Sequence, residues 1–236
     1  MTDLPEFPFD PDPAGPVDQL KRLAAGLLPQ HAVSRIAHRL TRSEQPWLRK
    51  PLIRLFVRAY RPDLGSAVQP DPDAYPSFNA FFTRAIREQS RPLAADPDSV
   101  SAPCDGRISA CGPIKAGTLI QAKGLDYTLA SLLGGDRTLA GRFEGGRFLT
   151  VYLAPFDYHR VHAPLDGRLV ETRHIPGRLF PVGRGTVRSV PGLFARNERL
   201  VCLFETPVTH MGATGSGEAL PFAVVLVGAL NVGSIE

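Results

Sequence analysis

Two of the chain's six histidines lie three residues apart, in the hexapeptide Asp157-Tyr158-His159-Arg160-Val161-His162. Small environmental shifts move the charge of an imidazole across neutral pH, so a close pair is a candidate acid–base device. Within a helical turn, residues three apart share a face and both rings can meet one target. In an extended chain they point to opposite sides and can serve two different ones. The alternative is a surface turn that carries two histidines and no chemistry. A further titratable group, Asp105, sits in Ala102-Pro103-Cys104-Asp105-Gly106-Arg107. Asp-Gly is first of all a turn former. A carboxylate on a rigid turn can also orient an imidazole and stabilise its charged form, as the third member of a catalytic triad does. The similar turn at Asp166-Gly167 is assigned a structural role only.

Other chemistries find less support. The two histidines lack the i, i+4 spacing of a zinc-binding helix and have no glutamate between them, so no metal is expected. Ser216 and Ser234 follow glycines but show no nucleophile-elbow pattern, and read as a loop and a strand residue. The glycines at 134–135, at 145–146 and in Gly183-Arg184-Gly185 have no recognisable helix after them, which argues against a phosphate cradle.

The elements that must position these residues divide the chain. Residues 1–16 are rich in Pro and Asp and read as a disordered lead-in. Three short amphipathic helices are predicted between residues 17 and 61, over Val17–Leu28, Ala32–Leu40 and Trp47–Tyr60. This segment holds ten Lys and Arg against two acids, a local +8 in a chain of +4 overall. Such helices suit an anionic membrane surface, or else form a helical subdomain with solvated charges. Nucleic acid fits less well, because no aromatic residues are interleaved for stacking. After a Pro/Asp-rich linker, Ser77 reads as the N-cap of a helix running from Phe78 to about Arg87.

Beyond Asp96 the texture changes to short β-like runs over 99–102, 107–111, 118–122, 148–153, 168–174, 200–205 and 222–232. A helix over Thr128–Leu133 interrupts them. The fold class is therefore α+β: N-terminal basic amphipathic helices, then a mostly antiparallel, sandwich- or barrel-like core over residues 62–236. Three cysteines without a CxxC pair argue against a disulfide framework and for a reducing compartment. No apolar run is long enough to span a membrane.

Several blocks together resemble the proenzyme-type phosphatidylserine decarboxylases. They are Ser77-Phe-Asn-Ala-Phe-Phe-Thr-Arg84 with Arg91-Pro92, Pro103-Cys-Asp-Gly-Arg-Ile108 and Gln121-Ala-Lys-Gly124. To these are added the histidine hexapeptide with Ala163-Pro-Leu-Asp-Gly167, Leu193-Phe-Ala-Arg-Asn-Glu-Arg199 and Val227-Gly-Ala-Leu-Asn-Val-Gly-Ser-Ile-Glu236.

The resemblance implies two linked reactions. In the first, the protein cuts itself before a serine, which becomes a pyruvoyl group capping a small α chain. The residues matching Asp105 and His162 act with that serine as a triad. In the second, the pyruvoyl ketone forms a Schiff base with phosphatidylserine, carbon dioxide leaves, and the residue matching His159 reprotonates the carbon to give phosphatidylethanolamine. It also implies a peripheral protein on the cytoplasmic side of the cell membrane.

The family's processed serine lies in a Leu-Gly-Ser-Thr type motif beyond the Val-Gly-Ser-Ile-Glu block, so it is expected past residue 236. On that reading this polypeptide is most of the larger chain and is inactive alone. The rival reading is a non-catalytic lipid-binding protein on the same scaffold, for which the joint presence of Asp105, His159 and His162 has no stated use.

Overall fold

The computed structural model describes residues 29–93, 99–122, 125–207 and 219–232, with isolated positions at 15, 19, 26 and 96. The first expected helix (Val17–Leu28) therefore lies outside the described residues, apart from positions 19 and 26, as do Ser216 and Ser234. The next two helices form: α1 spans Gln30–Thr41 and α2 spans Pro46–Tyr60, the latter begun by a proline in its first turn.

Ser77 caps α3, Phe78–Phe82, its hydroxyl accepting from the Ala80 amide at 3.1 Å. This helix is much shorter than the expected run to Arg87. The Thr83 hydroxyl donates back to the Asn79 carbonyl at 2.9 Å, and the chain then turns extended. Its amides and carbonyls at 85–87 go to a strand-like partner instead, with Val68 N donating to Ala85 O and Arg87 N to Ser66 O. Long-range pairing won over local helical propensity. Ile53 from α2, Phe81 from α3 and Tyr75 between them make a small aromatic core, with Phe56 and Phe78 packed on it.

Among the described residues the remainder forms three antiparallel sheets, so the α+β class holds. β1 (Arg107–Pro113) pairs with β4 (Arg147–Tyr152), and β2 (Thr118–Ala122) with β3 (Leu125–Thr128). β5 (Arg168–Ile175), β6 (Arg199–Thr206) and β7 (Leu220–Val227) form the third, in that order. β6 is central and alternates as a strand with one buried face should: Arg199, Val201 and Leu203 point inward. β7 is an edge strand.

Two expected strands change. Residues 99–102 stay irregular and are held by Ser101 N donating to Pro164 O. The run over 222–232 ends at Val227, where the Gly228 amide turns to Glu198 O.

Four short helices lie between strands: α4 (Leu129–Leu132), α5 (Arg137–Gly141), α6 (Arg184–Ser189) and α7 (Leu193–Arg196). Only α4 was expected. Helices do follow the glycines at 134–135 and Gly183, contrary to the sequence reading. Asp136 caps α5 through its side chain, and Gly183 precedes α6. At four to six residues, they have too little periodicity to be read from sequence.

Much of the main core forms where α4, α6 and α7 meet β2, β3 and β6, around Leu119, Leu133, Val190 and Leu193. Buried polar side chains close it. Gln121 donates to the carbonyls of Val187 and Val190 and accepts from Leu193 N, all within 2.8 Å. Asn197 brackets both backbone groups of Phe180 and donates to Gly228 O at 2.9 Å. The Arg199 guanidinium donates to the carbonyls of Ser131, Leu132 and Asn197.

Candidate active site

Gly106 fixes the Asp105 turn. Its φ of +137° is open to glycine, and a Cβ there would run into the Tyr152 carbonyl oxygen at the end of β4. A β-bulge between Ile108 and Ala110 follows at once and re-aims the strand leaving the turn.

The histidine hexapeptide leaves β4 as a compact loop. Asp157 closes its start, with Oδ2 accepting from Ala154 N at 2.8 Å. Two bonds dock the loop on neighbouring segments: His162 N donates to Pro103 O at 2.7 Å, and Arg160 Nε donates to Thr83 O at 2.9 Å. The turn after Pro103 and the hexapeptide are thus one stitched unit, although about fifty residues separate them in sequence.

Within that unit the two histidines differ. His159 is largely withdrawn from solvent against Phe82 of α3, ring centroids 3.8 Å apart. Its Nδ1 lies 2.9 Å from the Asp157 carbonyl, which can only accept. Nδ1 therefore carries the proton, and in the neutral ring Nε2 is the basic nitrogen. Burial, aided by the nearby Arg84 charge, holds its pKa below the ordinary histidine value. His162 is exposed, with Nε2 3.1 Å from the Tyr158 hydroxyl and its ring stacked on that of Tyr158.

Asp105 is held by Arg91 in a two-pronged ion pair, Nε to Oδ1 at 2.7 Å and Nη2 to Oδ2 at 2.6 Å. That guanidinium keeps the Asp105 carboxyl below the usual carboxylate range, against the opposing effect of partial burial. Tyr158 adjoins both other members: it lines the small cavity with Asp105, whose ionised form its amide favours, and its hydroxyl lies on His162. Asp105, Tyr158 and His162 are thereby gathered, with Tyr158 as the bridge.

Consecutive residues of three segments face two different cavities. Thr83, Cys104 and His159 line a large one of about 2380 Å³ whose walls include Phe82 and β7 residues such as Val224. Arg84, Asp105 and Tyr158 line a small one of about 270 Å³, with Arg91, Asp63 and Asp157. The chain changes side between Thr83 and Arg84, between Cys104 and Asp105 and between Tyr158 and His159, which is how one unit supplies both cavities. Cys104 is a poor nucleophile at neutral pH, because burial raises its pKa. Among the described residues, no three His, Cys, Asp or Glu converge to hold a metal.

Sequence reasoning named Asp105, His159 and His162 but missed Arg91, Tyr158 and Arg84. Arg91 and Arg84 stood in the quoted blocks, yet an arginine shows no periodicity that reveals a partner fourteen residues away. Arg84 is 3% exposed, and its Nε and Nη1 have no hydrogen-bond partner. Its guanidinium carbon lies 5.7 Å from the Phe81 ring centroid.

A family profile described as phosphatidylserine decarboxylase matches residues 78–236, and a second, described as PSD, matches residues 20–61. Curated relatives carry the name phosphatidylserine decarboxylase proenzyme. That of Alkalilimnicola ehrlichii is 52% identical over 96% of this chain and 75% of its own length. The Azotobacter vinelandii protein is 49% identical over 93% and 73%, and the Methylococcus capsulatus protein 50% identical over 89% and 69%. With a profile covering the whole stitched unit and half of all positions identical in such relatives, this chain belongs to the phosphatidylserine decarboxylase family.

Proposed function

We propose that this chain supplies the larger part of an enzyme that decarboxylates phosphatidylserine to phosphatidylethanolamine. The observation that carries the reading is His159: a neutral imidazole, its tautomer set by a backbone carbonyl, placed on an apolar-walled cavity. The prosthetic group of that reaction is a pyruvoyl group derived from a serine of the proenzyme. The residues present fit such a group. Apolar walls limit water around a reactive carbonyl, and His159 offers a basic Nε2 beside it. When bound, the group supplies an electrophilic carbonyl that takes up the substrate amine and draws electrons from the carbon losing carbon dioxide.

The chain's own residues do the rest. His159, neutral at rest with Nε2 unprotonated, takes up a proton at Nε2 and passes it to that carbon, its lowered pKa making the protonated ring a ready donor. Asp105 and His162 serve the earlier step, self-cleavage at the serine. Tyr158 holds the imidazole of His162 while its amide favours the ionised form of Asp105. The separate placement of His159 and Asp105 on two cavities supports two reactions run from one loop.

The protein works peripherally on an anionic membrane, on the cytoplasmic side. The support is on α1 and α2, where Ile36, Leu40, Trp47 and Leu55 are exposed among Arg35, Arg39, Lys50 and Arg58. No helix among the described residues is long and apolar enough to cross a membrane.

The test is a pair of substitutions in the full-length proenzyme. His159→Ala should self-cleave on a denaturing gel yet release no carbon dioxide from phosphatidylserine vesicles. Full turnover by that variant would remove His159 from the mechanism. His162→Ala should remain uncleaved, and normal cleavage would remove the triad.

A further inference from the structure

We infer that Arg91 is a positioning residue for self-cleavage, acting through Asp105; the inference rests on the reading of Asp105 and His162 as the processing pair. A triad carboxylate has a defined task. It has to present a lone pair to the imidazole in a fixed plane and remain ionised while the ring takes a proton. A carboxylate has roughly four acceptor sites. In Asp105 the Arg91 fork occupies one on each oxygen. Two parallel donors from one planar group fix the plane of the carboxylate and leave the remaining sites open.

The imidazole is carried on the segment tied to the same turn. His162 is tied through its amide to Pro103, two residues before Asp105, and its Nε2 is tied to Tyr158, the residue whose amide favours the ionised form of Asp105. With Nε2 on the tyrosine hydroxyl, Nδ1 is the nitrogen left for the carboxylate. Arg91 is in turn fixed by its own Nη1 donating to Ser90 O at 2.8 Å. A lysine could supply the charge but not the fork, so it would hold Asp105 without fixing its plane.

The surroundings of Asp105 are otherwise balanced. Arg61, Arg84, Asp63 and Asp157 line the same small cavity, and Cys104 is its chain neighbour. Asp63 accepts from Gly65 N and Asp157 from Ala154 N, which leaves Arg91 as the cation engaged directly on Asp105. Removing that cation lets the carboxyl protonate at higher pH, so the acid limb of the processing rate moves upward.

The experiment follows self-cleavage of the full-length proenzyme on denaturing gels from pH 4 to 8, for wild type, Arg91→Ala, Arg91→Lys and Asp105→Ala. Arg91→Ala is expected to process about tenfold more slowly or worse. That is the rate equivalent of ~1.4 kcal/mol, near the low end for a hydrogen bond to a charged group. Its acid limb should lie at higher pH than that of wild type. Arg91→Lys should restore the position of the limb more fully than the rate.

If Arg91→Ala folds poorly, Arg91→Lys alone decides the matter, since a merely structural arginine would give it a wild-type pH profile and rate. Unchanged or faster processing by folded Arg91→Ala overturns the inference; faster processing would mean that the fork restrains Asp105. Normal processing by Asp105→Ala sinks the triad reading itself, and the role of Arg91 with it.

Discussion

At the scale of single residues, Arg84 is a buried charge that bears on both halves of the site. Its guanidinium is almost wholly buried with two nitrogens unpartnered, and its charge acts on both His159 and Asp105. Desolvating a charge without full hydrogen bonding costs stability, and an apolar side chain of similar length often does as well or better. Arg84→Met is therefore expected to keep or raise thermal stability while raising the pKa of His159, because a cation beside the ring has been removed.

The sign also appears in the pH dependence of stability. His159 has a depressed pKa in the fold, so as pH falls below about 6.5 the unfolded chain takes up a proton that the folded chain does not, and stability declines down to the folded value. Arg84→Met narrows that window. An NMR titration of the His159 ring checks the point, and an unmoved pKa would show that burial alone sets it. Asp157, whose carboxylate and carbonyl face the same ring, stays in place in the variant.

At the scale of elements, the helical segment and the β core have different tasks. α3 presents Phe82 to His159 and, just past its end, Thr83 to Arg160, so the aromatic subdomain forms one wall of the histidine loop. α2 turns Ile53 to that subdomain and leaves Trp47 74% and Leu55 66% exposed. Apolar side chains held in water amid arginines are what an interfacial helix presents to a bilayer. Trp47→Ser with Leu55→Ser should weaken sedimentation with anionic vesicles several-fold and leave the melting temperature near that of wild type. If vesicle binding is unaffected, the membrane contact lies elsewhere. The binding that remains should fall as salt rises, since the arginines act through screened charge.

At the scale of the whole molecule, three small sheets become one body through buried polar side chains as well as apolar packing. Asn197 is fully buried and ties the 180 loop to the end of β7 with three bonds. Asn197→Ala should cost roughly 3 kcal/mol, at about 1 kcal/mol for each bond lost, in denaturant melts. A loss under about 0.5 kcal/mol would mean that water replaces it. The strand that Asn197 anchors, β7, is also a wall of the large cavity.

The fold class and the order of most elements were legible in the sequence, as were Asp105, His159 and His162 as candidates for chemistry. They were legible because those features are local. Periods of two and of about 3.6, the Ser77 cap, and an Asp-Gly turn that only glycine can complete are written within a few residues. Motif blocks carried the family in the same way. Tertiary structure decided what depends on partners distant along the chain. It cut α3 short because residues 85–87 found a β-like partner near residue 67. It formed α5, α6 and α7, which are too short to show a period. It placed Arg91 on Asp105 and Tyr158 between that carboxylate and His162. It also turned His159 and Asp105 to different cavities, because side-chain direction in irregular chain follows from docking contacts that no spacing encodes.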